Sequence, residues 1–158
     1  MVEATSITTV TESTEGITGA VASLAVNRRL AFCLAGHAIF TLRNSLTGNR
    51  FTYRIRARRR QGFSVALLHG QDNESDYMGI GYITQYASGP QFTPHYRANP
   101  SQAMRAFAWA WPRLVTNTLP PEIEFYHAGR CGRCHRLLTT PESIASGIGP
   151  KCAELGNR

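Results

Sequence analysis

Three cysteines near the C terminus constrain this 158-residue chain more than any other feature. Cys131 and Cys134 are separated by two residues, the spacing at which a tight turn directs two thiolates at one ion. Cys152 follows a Gly149-Pro150 turn that can return a third sulfur to the same point. A segment of about 30 residues is too small to build its own hydrophobic core, so a bound metal is the natural organiser of this one. Tetrahedral zinc takes four donors. His127 stands four residues before Cys131 and can reach back from an incoming strand. His135 is the alternative, less favoured because the immediate neighbour of a knuckle ligand points away. The expected centre is one structural Zn2+ held by His127, Cys131, Cys134 and Cys152, with no position left for a reacting water. Cys33 lies in an Ala- and Leu-rich run and reads as a small buried hydrophobe.

The letters Cys131-Gly132-Arg133-Cys134-His135 also spell a c-type haem attachment pattern. Haem attachment calls for export, and the start of the chain has no basic segment followed by an apolar one. Thiols in a chain without an export signal point to a reducing cytoplasm, where metal is commoner than disulfide.

The wider run continues through Leu137-Leu138-Thr139, Pro141-Glu142-Ser143-Ile144 and Gly147-Ile148-Gly149-Pro150 to Cys152. It resembles a small zinc-binding domain of uncharacterised phage and prophage proteins, with the pattern C-x2-C-G-R-x-L-T-x-P-x-S-I-x-x-G-I-G-P-x-C. The segment around Phe40–Asn44, Arg50–Arg56 and Tyr77–Ile83 is similar to the N-terminal part of longer members. The resemblance implies bound zinc and a phage or prophage origin, hence a host-cell cytoplasm, and brings no established activity. His135 stands where that family usually has Gly.

Charge supplies the second constraint. The net charge is +7, and sixteen of the seventeen basic residues are Arg. Residues 16–71 hold nine Arg and no acid, so one stretch supplies more than the whole excess. Arg forks match phosphate geometry and stack on bases. Arg50, Arg54 and Arg56 alternate with Phe51, Tyr53 and Ile55. Such a strand has one cationic and one apolar face. Arg58, Arg59 and Arg60 extend the charge into the next turn, and Arg43 joins from the neighbouring strand. Arg105 and Trp109, with Arg113, form a second candidate surface on a helix.

The expected fold class is α+β: a small antiparallel sheet with flanking helices, then a zinc-knuckle module. The expected layout is an arm over 1–18, an α+β domain over 19–119 and the zinc module over 122–158. A helix is expected over Ala20–Leu34. Strands are expected at His37–Arg43, Arg50–Arg56, Phe63–His69 and Tyr77–Gln85, the last weakened or bulged at Gly79 and Gly81, with a short fifth at Gln91–Arg97. A second helix opens on Asn99-Pro100, with Pro112 expected to kink or split it.

No apolar run approaches the roughly 20 residues that cross a bilayer, so no membrane partner is expected. No catalytic constellation is read. Gly79-x-Gly81 lacks a dinucleotide turn, and Pro150 removes a donor that a phosphate loop over 147–151 would need. The expected function is that of a phage-encoded, zinc-containing nucleic-acid-binding protein, DNA favoured over RNA, in replication, transcription or their regulation. Phosphate contacts would come from Arg43, Arg50, Arg54, Arg56 and Arg58–Arg60, with Arg105 and Trp109 as the second surface. The alternative is an inhibitor of a host protein, such as a defence enzyme or polymerase, acting by protein–protein contact.

Overall fold

A computed structural model describes residues 22–95 and 99–156. Their framework is one antiparallel sheet of seven strands, in the order β1-β7-β2-β3-β4-β5-β6. The strands are β1 (Ala22–Ser23), β2 (His37–Asn44), β3 (Arg50–Ala57), β4 (Phe63–Leu68), β5 (Tyr77–Tyr86), β6 (Gly89–Pro94) and β7 (Ile123–His127). The helices are few: α1 (Arg29–Cys33) after a 3-10 turn at Val26–Arg28, α2 (Gln102–Thr116), α3 (Pro141–Ser146) and α4 (Pro150–Gly156).

β2 to β6 form a meander whose alternation sets the two faces. Ala38, Phe40 and Leu42 of β2 and Tyr53 and Ile55 of β3 are buried on one side. Cross-strand pairs such as Phe40 with Tyr53 and Ile55 with Val65 continue that apolar layer. α2 covers it. Its apolar residues recur at Met104, Phe107, Trp111 and Leu114, all buried on one stripe. The Phe107 ring meets those of Tyr53 and Phe92, the Tyr53 hydroxyl donates to the Ala103 carbonyl at 2.7 Å, and the Trp111 indole donates to the Pro90 carbonyl at 3.0 Å.

Several local expectations change. The N-cap of α2 is Ser101, whose hydroxyl accepts from the Met104 N–H, rather than Asn99. Pro112 does not split the helix, which runs unbroken to Thr116. It sits on the exposed side, where water can satisfy the Ala108 carbonyl that it leaves without a donor. The Ala20–Leu34 run does not form one long helix: Ala22–Ser23 pair with β7, and only Arg29–Cys33 are α-helical. Its partial apolar stripe is too weak to carry a helix against the sheet pairing on offer. The expected bulge is present, with the β4–β5 register shifting so that Val65 faces Gly81 and Ala66 faces Gly79. The expected arm over 1–18 and the tail of the fifth strand at Tyr96–Arg97 lie outside the described residues.

The segment expected to open a separate module instead enters the sheet. β7 lies between β1 and β2, pairing Phe125 with Leu42 and His127 with Phe40. The cysteine segment thus grows directly out of the central sheet. No described helix is long and apolar enough to cross a membrane.

Candidate metal centre and cationic sheet face

Cys131 and Cys134 sit at the tip of a small hairpin closed by a bridge between Arg130 and Leu137. Within it the Cys131 N–H donates to the Arg136 carbonyl at 2.8 Å and the His135 N–H to the Cys131 carbonyl at 2.9 Å. Cys152 comes from α4. The three sulfurs lie within 4.8 Å of one another. Zinc–sulfur bonds of about 2.3 Å in a tetrahedron need sulfurs about 3.8 Å apart, so this set can close on one ion. The Cys131 sulfur is approached by the backbone N–H groups of Arg133 at 3.4 Å and Gly149 at 3.3 Å. Burial raises the Cys131 pKa, but hydrogen bonds led by the Gly149 N–H outweigh it and bring the thiol down to about 7. Burial, reinforced by the neighbouring thiols, pushes Cys152 up to about 11. Three sulfurs gathered around a donor-rich turn suit a thiophilic cation.

The surrounding residues explain the local fold. Thr140 caps α3 and exchanges hydrogen bonds with Ser143, while Pro141 occupies the first turn. Gly147 ends the helix at φ 75°, and its carbonyl accepts from the Gly132 N–H at 2.9 Å. The Gly132 carbonyl accepts in turn from the His37 N–H at 2.6 Å, tying the cysteine turn to the start of β2. Phe32 fills the space beneath: a Cβ added at Gly132 would lie 2.7 Å from its ring. Cys33 is fully buried, as expected, and burial holds its thiol far above the usual range.

His127 is not placed as the fourth ligand. Its Nδ1 accepts from the Gly129 N–H at 3.0 Å, and its Nε2 lies 2.8 Å from the Ile144 carbonyl, which requires Nε2 to carry the proton. With both nitrogens committed and the ring buried, it joins β7 to α3 rather than binding metal. Desolvation lowers its pKa, which favours this neutral form. His135 is also turned away. Its ring stacks on His37 with centroids 4.1 Å apart, and its Nε2 lies 3.5 Å from Glu74. Its backbone has φ 69°, the left-handed region that glycine adopts freely. Among the described residues, the metal-ligand cluster is the three cysteines alone. A cavity of about 370 Å³ borders them, lined also by Thr140, Lys151 and Leu155.

The second candidate site is the sheet face away from α2. Arg50, Thr52, Arg54 and Arg56 point there from β3, opposite Arg43, Thr41, Ile39 and His37 of β2. The Arg54 guanidinium lies over the Tyr77 ring at 4.2 Å, and that of Arg58 over the Tyr82 ring at 4.4 Å. Arg43 is engaged by Glu124 at 2.7 Å. No ion pair among the described residues involves Arg50, Arg54, Arg56, Arg58, Arg59 or Arg60. The Tyr77 hydroxyl is buried without a hydrogen-bond partner among the described residues.

The sequence pattern alone does not point to Tyr77 and Tyr82 as site residues. An odd spacing of five would put them on opposite faces of a regular strand, but the bulge between them shifts the phase so that both face outward. The Gly79-x-Gly81 pair was the available signal. Arg105 and Trp109 are not brought to this face. They lie on α2, across the sheet, beside a groove of about 440 Å³ that also includes Phe51, Ala106 and Ile123. There Arg113 stacks on Trp109 at 4.2 Å, and Arg105 donates to the Pro100 carbonyl.

A family model described as a family of unknown function, DUF6011, matches residues 124–155, from within β7 through all three clustered cysteines. No curated protein and no solved structure matches the chain.

Proposed function

We propose that this chain is a zinc-containing nucleic-acid-binding protein that holds the phosphate backbone on the open face of its sheet. The observation that carries this reading is the arrangement on β3. Arg50, Arg54 and Arg56 share one face, the guanidinium groups of Arg54 and of Arg58 in the following turn lie over tyrosines of β5, and residues 16–71 contribute no acid. A ligand with evenly spaced negative charge fits such a row, because each phosphate neutralised releases condensed counterions. The zinc would be held by Cys131, Cys134 and Cys152 and would fold the 129–156 segment against Phe32, a structural role. Its setting would be a phage or prophage protein acting in a host cytoplasm, in replication, transcription or their regulation, with DNA as the leading ligand.

The test is fluorescence anisotropy of labelled DNA and RNA with the metal-loaded chain. Arg54→Ala with Arg56→Ala should weaken binding by about tenfold or more, since two charge-assisted contacts are lost. Arg105→Ala, on the other side of the sheet, should change it less than about twofold. Equal loss in both variants would refute the assignment to this face.

A second reading has its own observation. Trp109 is 42% exposed beside the groove at α2. An exposed Trp next to an apolar groove suits a protein partner, as an inhibitor of a host enzyme would need. Pull-down of one host protein by the wild-type chain, lost on Trp109→Ala, would favour it.

A further inference from the structure

Resting on the proposed nucleic-acid function, we infer that the open face is a platform for single-stranded nucleic acid, with bases stacked on the Arg54–Tyr77 and Arg58–Tyr82 pairs. Phosphates alone would not discriminate between single and double strands. Flat π surfaces do, because only an unpaired strand offers the faces of its bases.

The layout separates the two kinds of contact. Arg50 and Arg56 lie at the ends of β3, six residues and so about 20 Å apart, a track along which an extended backbone can run. Tyr77 and Tyr82 lie two strands away on β5, about 10 Å to the side. Between them β4 presents only short side chains opposite the arginines: Ala66 faces Arg54 and Ser64 faces Arg56. The Arg54 side chain can therefore cross β4 and rest on Tyr77, and Arg58 can reach Tyr82 from the turn after β3. Tyr82 is 38% exposed, so the stacked pair stands at the surface. His95 extends the aromatic row, with its ring 5.0 Å from that of Tyr82. Each guanidinium carbon lies over its ring, at 4.2 Å for Arg54 and 4.4 Å for Arg58, a position from which the group can offer a face to a base and its N–H edge to a phosphate.

The strand would thus run along β3 with its bases turned toward β5. β6 carries Pro90 and Pro94, which lack the N–H that another strand would need at this edge.

The experiment uses the full metal-loaded chain and three labelled probes: an oligo-dT of about 20 nucleotides, an abasic strand of the same length, and a duplex of about 20 base pairs. The expected result is oligo-dT binding about tenfold or more tighter than the abasic strand, and tighter than the duplex. Tyr82→Ala should narrow the oligo-dT to abasic ratio toward one, while Tyr82→Phe keeps it. Equal affinity for oligo-dT and abasic strand, or tighter duplex binding, would overturn the platform and leave phosphate binding intact. No binding of any probe at low salt would instead refute the nucleic-acid reading on which the platform rests.

Discussion

His127 and Ile144 are joined by a hydrogen bond of 2.8 Å from imidazole Nε2 to carbonyl oxygen, and that bond fastens the central sheet to the helix beside the cysteines. With Nδ1 also occupied by the Gly129 N–H, the ring is a structural clamp. His127→Ala should therefore keep one bound metal per chain while lowering stability by about 2–4 kcal/mol, through a cavity and an unpaired carbonyl. Cys131→Ser should lose the metal. Elemental analysis and urea unfolding of both variants check this, and loss of metal in His127→Ala would contradict it.

Much of the architecture is legible in the residues alone. The alternation of Arg50–Arg56 marks β3 and its cationic face, the Asn44–Asn49 cluster marks the hairpin turn, and Gly79 and Gly81 mark the bulge. What escapes is non-local. Nothing in the letters of Ile123–His127 says that this strand pairs with β2, eighty residues earlier, or that Phe32 and α3 close over His127. The same limit hid the tyrosines, since Tyr77 meets Arg54 only across β4. The metal triad is legible because its spacing is local, whereas the spacing of His127 suggests a ligand role that its tertiary contacts override.

His135 has the backbone of a glycine, at φ 69°. His135→Gly should leave stability within about 1 kcal/mol of wild type, since relief of the left-handed strain offsets the lost His37 stack and the looser unfolded chain. His135→Val should cost about 1–3 kcal/mol, because a β-branched side chain tolerates that conformation poorly. Thermal unfolding of the metal-loaded variants distinguishes them. A Val variant as stable as the Gly variant would show that the turn has no such requirement.

Phe32 should matter to the metal segment more than its position in a five-residue helix suggests. It contacts Phe125 and His127 and fills the space at Gly132 and Gly147. Phe32→Ala should cost about 3–5 kcal/mol. Amide exchange over 129–149 should accelerate with it; protection there equal to wild type would contradict the docking.

His37 gives a pH dependence. Burial, then the stacked His135, Arg56 and Arg54, hold its pKa down to about 4, with Glu74 opposing. The unfolded chain takes up this proton near pH 6.5 and the folded chain only near 4. Its contribution is thus complete above about pH 6.5 and lost as the pH falls toward 4. Stability measured across that window should fall more steeply for wild type than for His37→Gln. Equal slopes would contradict the assignment.

The open arginine face is tested most directly by the salt dependence of single-stranded DNA binding. With metal-loaded protein, log K should fall linearly against log salt between about 50 and 200 mM, with a slope magnitude of about 2 or more for three or more phosphate contacts. In Arg54→Ala with Arg56→Ala the magnitude should shrink by about 1.4. A slope that is flat, or unchanged in the variant, would contradict the account.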